Sequence, residues 1–237
     1  MKTDIPQTVY LKDYTPPAFL IDTVDLDFVI ETGSTTVTAT LAVRRNPAVA
    51  AQPLVLDGDE LETLSVAVDG QKWPFSETPT QLTLSDLPGA FTLTTEVRIQ
   101  PDSNTRLSGL YRSKDGYFTQ CEAQGFRRIT WFLDRPDVMS TYTVTLHADK
   151  EKLPVLLANG NPVAAGDEAD GRHWAKWNDP FRKPAYLFAI VAGKLDGLFD
   201  SFTTASGRSV QLAIYVEPGK LDQCRHAMEA LKKSMKW

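Results

Sequence analysis

Three histidines, two cysteines and no long apolar run set the first limits on this chain of 237 residues. No two of His147, His173 and His226 lie four positions apart, so the paired ligands that a His-Glu-x-x-His helix presents to zinc are missing. Cys121 and Cys224 form no C-x-x-C pair, which suits a reduced compartment better than a disulfide scaffold. As a nucleophile Cys121 needs a partner histidine, and a buried, unreactive thiol is the commoner state. No uncharged apolar stretch reaches the ~18 residues of a membrane span. Met1 to Tyr10 lacks the apolar centre of a secretory leader, so the expectation is a cytoplasmic protein with no membrane partner. Neither sign of charge dominates: 30 acidic against 25 basic residues leave a net charge of -5, which argues against nucleic acid as a partner.

What is present is ordinary in bulk and ordered in pattern. A hydrophobic fraction of 42% with 23% charged residues excludes disorder and allows a large core, in one large domain or one and a half. Alternation of apolar and polar residues runs from Leu20 to Val216. Leu20, Val24, Leu26, Phe28 and Ile30 fall on one face, with Asp25 and Asp27 on the other. The same beat recurs in Thr35 to Val43, Leu64 to Val68, Phe91 to Ile99, Tyr142 to Ala148 and Val210 to Val216. Leu153 to Leu157 and Tyr186 to Val191 are short, nearly continuous apolar runs, expected as strands buried on both faces. The fold class predicted is mainly β, a stack of antiparallel sheets.

Beyond Gly193 the pattern changes. Phe199 to Thr204 and Ser209 to Val216 predict a hairpin, and after Pro218-Gly219 the period turns helical. Cys224, Met228, Leu231 and Met235 form a stripe along one helix face, with Asp222 placed to cap its start and Lys232, Lys233 and Lys236 near its end. A helix ending on Trp237 with no polar tail predicts a piece cut from a longer protein.

The densest run of chemistry is Tyr117 to Val138, YFTQCEAQGFRRITWFLDRPDV. On extended backbone, residues two apart share a face, so Gln120 and Glu122 are expected to aim an amide and a carboxylate at one spot. That pairing suits an ammonium group, and it equally describes a solvated strand surface. Asp134-Arg135-Pro136-Asp137 reads as a charged turn. His147, on the polar side of its strand, is expected to be exposed, and His173 to be structural. Trp174 and Trp177 offer either sheet-face packing or a sugar-stacking platform.

These motifs resemble the amino-terminal part of the bacterial aminopeptidase N family, zinc aminopeptidases of the thermolysin-like gluzincin group. The likeness is carried by Thr119–Ala123 (TQCEA), Phe132–Val138 (FLDRPDV) and DPF-x-KP-x-YLFA from Asp179 to Ala189. It extends through Tyr10–Tyr14, Pro53–Gly58, Gly109–Tyr111, Leu157–Asn161, Gly171–Trp174 and Leu231–Trp237, one end of the chain to the other. The resemblance implies a layered, saddle-like antiparallel β-sandwich over residues 1–194. Residues 195–237 would then be the opening hairpin and helix of a thermolysin-like catalytic domain. It implies that Glu122 helps anchor the α-ammonium group of a peptide substrate and that Gln120 lines the pocket for the first side chain. The family's zinc ligands, its water-activating glutamate and its Gly-Ala-Met-Glu-Asn strand are not in this sequence, and the resemblance places them after Trp237. The expectation is therefore zinc in the intact enzyme with none bound by this chain. No catalytic residue is expected here, and the partners are free amino-terminal peptides and the remainder of the catalytic domain. Two other readings stand beside it: a complete, non-catalytic β-sandwich module that binds carbohydrate or protein, and a catalytically dead relative.

Overall fold

Alternation along the chain becomes an eight-stranded sheet in the computed structural model, which describes residues 8 and 10–237. In spatial order the strands are Asn161–Asp167, Arg172–Pro184, Met139–Asp149, Phe19–Ile30, Thr35–Arg45, Ala90–Ile99, Glu62–Val68 and Gln71–Lys72. All neighbours pair antiparallel except the central Phe19–Ile30 and Met139–Asp149, which run parallel with Thr23 opposite Thr141. Parallel partners need a long crossover. Here the crossover is residues 31–138, which build the other half of the sheet, a three-stranded sheet and two strands of a four-stranded one.

Two of those smaller sheets cover the inner face. One is ordered Val155–Ala158, Ile190–Gly193, Gly116–Gln120, Gly109–Ser113; the other is Leu54–Asp57, Gln81–Leu84, Ser76–Glu77. A single cluster of buried side chains joins all three, from Leu26, Phe28 and Val144 on the large sheet to Leu56, Leu82, Leu156 and Ile190 on the small ones. At its centre Phe126 sits edge-on to Phe132, Tyr142 and Phe188, with ring centroids 4.8, 6.2 and 5.1 Å away. Edge-to-face contact adds to the area these rings bury.

The expected strands form, and two of them change phase. Ile21 is buried and Leu20 only half-buried, because a bulge between Ile21 and Thr23 hands the inward face from odd to even positions. Leu64 is likewise exposed, since the register shifts between Thr63 and Ser65. Tyr186 to Val191 is not one strand. Ala185–Leu187 forms a 3-10 turn after Pro184, Phe188 closes it by donating its N–H to the Ala185 carbonyl, and pairing resumes at Ile190. Leu153 to Leu157 contributes Val155–Ala158, with one face open.

The last segment packs separately. Asp196–Thr203 pairs with Ser209–Val216, and the chain then passes through a 3-10 turn, Leu221–Cys224, into the helix Arg225–Lys236. The predicted cap does not form: Asp222 lies within the 3-10 turn, exposed, and faces Arg225 at 3.5 Å. Cys224 itself occupies the capping position. The stripe does form, with Cys224 and Met228 buried alongside Leu212 and outside the main cluster, Leu231 half-buried and Met235 exposed. Lys232 is not free at the helix end but pairs with Asp200 of the hairpin. Among the described residues no helix is long and apolar enough to cross a membrane.

If the inward face carries the stability, Leu93→Ala lowers the unfolding free energy by about 3 kcal/mol, the usual loss for a fully buried leucine. Thr92→Ala, one position along on the exposed face, stays within ~0.5 kcal/mol. Urea unfolding of the two variants measures the difference.

Candidate functional site

The hairpin of Gly109–Ser113 and Gly116–Gln120 carries the chain to the run richest in polar groups, and the sheet positions it at Thr119. The Thr119 hydroxyl accepts the Ile190 N–H at 2.9 Å, locking this strand to its neighbour one residue before the strand ends at Gln120. Cys121 then turns into the core, and Glu122, Ala123 and Gln124 loop outward. Gly125 closes the turn by donating its N–H to the Cys121 carbonyl at 2.7 Å. Only glycine fits there, because a Cβ would fall 2.4 Å from the Gln120 carbonyl oxygen.

Glu122 therefore sits on a turn and not on extended backbone, and the period-two argument for a shared face does not apply. The turn nevertheless keeps the two residues together, since Gln120 Nε2 donates to the Glu122 backbone carbonyl at 3.3 Å. Both side chains are exposed, and no cation among the described residues pairs with the Glu122 carboxylate. The Glu122–Ala123 peptide is cis. Four clefts of about 200 to 570 Å³ are lined by other residues, and Gln120 and Glu122 lie exposed on the turn.

Beneath the turn lies a charged platform. Gly125 leads directly into the 3-10 turn Phe126–Arg128, its carbonyl accepting the Arg128 N–H at 3.1 Å. Arg127 donates both its backbone N–H and its Nε to Asp134 Oδ2, each at 3.1 Å, and its Nη2 lies 3.5 Å from Asp57. Asp134 is only 3% exposed. Burial pushes its carboxyl above the ordinary carboxylate range, and the hydrogen bonds from Arg127 oppose that rise. Arg128, also buried, reaches Asp59, Glu60 and the Ser108 carbonyl. The turn expected over Asp134 to Asp137 is present, its tip fixed by an Arg135 to Asp137 pair at 2.7 Å that Tyr14 joins through its hydroxyl. Those hydrogen bonds, Arg135 first, hold Asp137 below its ordinary value.

The remaining candidates divide. Cys121 is buried, and burial pushes its thiol up, with Asp134 adding to the rise, so it is poorly suited to nucleophilic attack. His147 is not freely exposed: its ring lies between Glu168 Oε1 at 2.6 Å and Asp27 Oδ2 at 3.2 Å, carboxylates that neighbouring elements bring to the same sheet face. His173 is structural, its Nε2 bonded to the Leu153 carbonyl at 2.8 Å. Trp174 and Trp177 are half-buried and share an apolar cleft of about 520 Å³ with Tyr215, and the Trp177 N–H is already donated to the Leu156 carbonyl. The pairing of Asp57, Asp59 and Glu60 with the two arginines carried no signal in the sequence, because they meet only through the fold. Among the described residues no three His, Cys, Asp or Glu side chains gather as a metal site, so the residues present do not fit zinc.

With its thiol buried and protonated, Cys121 should react with iodoacetamide at pH 8 on the order of 100-fold more slowly in the folded chain than in urea. Peptide mass spectrometry of the alkylated cysteines reads the ratio.

Comparison with known proteins gives the family and the fold. The Peptidase M1 N-terminal domain model matches residues 20–187. Aminopeptidase N of Caulobacter vibrioides is 50% identical over 100% of this chain, and that of Escherichia coli 49% identical over 99%. The chain spans 28% and 27% of their lengths. Among solved structures, aminopeptidase A of Legionella pneumophila, in complex with aspartic acid, superposes with a TM-score of 0.90 at 32% identity, over 95% of this chain and 27% of that one. The matched residues cover well over half of the sequence, and by them this chain belongs to the Peptidase M1 N-terminal domain family.

Proposed function

We propose that the intact protein is a zinc-dependent aminopeptidase of the cytoplasm that hydrolyses amino-terminal residues from peptides. In this reading residues 1–194 form its β-rich amino-terminal domain, and residues 195–237 open the catalytic domain, whose remainder is the chain's closest partner. Relatives named aminopeptidase, of which this chain spans little more than a quarter, support that division. So does the separate burial of Leu212, Cys224 and Met228 outside the main core. Two free, buried cysteines suit a reducing compartment.

The contribution of this chain is recognition of the substrate's positive end. The observation that carries it is the Glu122 carboxylate, exposed on a closed turn with no cation partner among the described residues. An α-ammonium group gives it a charge-assisted hydrogen bond. Holding that end fixes the first peptide bond one residue away, where the rest of the enzyme completes the cavity. A peptide without a free ammonium leaves the enclosed carboxylate unpaired, which disfavours internal cleavage. Gln120, beside Glu122 and oriented by it, is placed to contact the first side chain. Zinc, when bound, supplies an activated water from ligands outside this chain.

In the full-length protein Glu122→Ala should lower kcat/KM on an alanyl chromogenic amide on the order of 100-fold, the value of one charge-assisted contact. Its melting temperature should change little, because the side chain is exposed. Equal kcat/KM for mutant and wild type refutes the role. Gln120→Ala should redistribute rates among alanyl, leucyl and arginyl amides, and an unchanged ranking counts against a pocket residue.

A further inference from the structure

Resting on the reading of Glu122 as the ammonium anchor, we propose that the pair formed by half-buried Arg127 and buried Asp134 is the positioning device that helps set where Glu122 stands. Neither residue has to touch the substrate. The covalent path from Glu122 to Arg127 is short, five residues along the chain. Glu122 lies in a turn whose closing residue, Gly125, is bonded back to Cys121 on one side and forward to Arg128 on the other. No side chain of the turn between 122 and 125 is buried, so its own packing does not fix it. Its position is inherited from what holds its two ends: buried Cys121 on the strand side and the 3-10 turn that follows.

That 3-10 turn is held by three side chains. Phe126 plugs into the aromatic centre of the core. Arg128 reaches Asp59 and Glu60 on the segment after the Leu54–Asp57 strand. Arg127 alone makes its bonds through both backbone and side chain to one acceptor, Asp134 Oδ2, and adds a third from Nη2 to the Asp134 carbonyl at 3.2 Å. Asp134 in turn donates its backbone N–H to Asp57 Oδ2 at 3.3 Å, and Asp57 exchanges backbone hydrogen bonds with Phe132. The segment 126–134 is thereby drawn into a ring and stapled to the edge of a sheet. A hydrophobic anchor such as Phe126 fixes depth and leaves rotation free; two donors converging on one buried oxygen fix orientation.

Energetics point the same way. Asp134, withdrawn from water, loses hydration that its attraction to half-buried Arg127 only partly restores, so the pair is a poor device for stability alone. What such a pair does well is specify one geometry. A displacement of the Glu122 turn by about 1 Å is enough to weaken a charge-assisted contact many-fold.

The test is a double-mutant cycle in the full-length enzyme. Asp134→Asn keeps the shape and removes the charge. It should raise KM for an alanyl amide on the order of tenfold while kcat stays within about twofold, because binding of the ammonium group is what loosens. In a Glu122→Ala background the same substitution should change KM by less than about twofold, since the residue it positions is gone. A merely structural role would alter both backgrounds equally, and equal effects overturn the proposal. An unchanged KM in Asp134→Asn, with Glu122→Ala still impaired, overturns it while leaving the role of Glu122 intact. A Glu122→Ala enzyme with wild-type kinetics sinks both. Should Asp134→Asn fail to accumulate as folded protein, Arg127→Lys, which keeps the cation and loses the fork, carries the same cycle with the same expected and opposing results.

Discussion

Two adjacent guanidinium groups hold this chain's polar turn against its core. Arg127 is tied to Asp134 and Asp57, Arg128 to Asp59, Glu60 and the Ser108 carbonyl, so consecutive residues anchor to separate carboxylate clusters. Arginine suits the task because its planar fork offers several donors in fixed directions. The run between the hairpin strand and the parallel central strand is neither helix nor sheet for most of its length, and its backbone has no ladder to rely on. Side-chain ions do there what hydrogen-bond ladders do elsewhere.

The same run is where the layers of the domain meet. Phe126 and Phe132 enter the aromatic cluster with Tyr142 and Phe188, Trp131 packs over Gly58 and donates its N–H to Thr63, and Asp57 pairs through its backbone with Phe132. Residues from both small sheets and from the large one thus converge on one stretch of about a dozen positions. An exposed residue at the start of that stretch inherits the rigidity of the whole core. Glu122 is such a residue, exposed in itself and mounted on Gly125 and Phe126, which are buried.

Under the proposed function, an exposed turn makes this chain one wall of a site that other parts of the protein complete: its β scaffold would supply a fixed charge and another domain the reacting centre. The carboxylate gains its full effect only when a second surface excludes water around it, since the attraction between charges grows as the local dielectric falls.

How much of this was legible beforehand depended on range. Period-two alternation marked the strands of the large sheet, because each side chain's face follows from its position in the pleat. The motifs around Gln120 and Glu122 marked the family. Alternation failed at Leu20 and Leu64, where a bulge inserts one residue and reverses the faces, and bulges leave no local trace in a sequence of mixed threonine and valine. It failed again for Asp222, which the helix stripe marked as a cap but which a 3-10 entry turn displaced. His147 looked solvated because its strand neighbours are polar, yet Asp27 and Glu168, far away in sequence, close around it. By itself, then, the sequence determined the β class, the strands and the identity of the polar turn, since these rest on neighbours within a few residues. Only the tertiary structure decided that Arg127 meets Asp134 and Asp57, that Arg128 meets Asp59 and Glu60, and that Glu122 stands free. Arg127 and Asp134 are seven positions apart, but the other pairings cross some 70 positions of chain, and no local pattern encodes them.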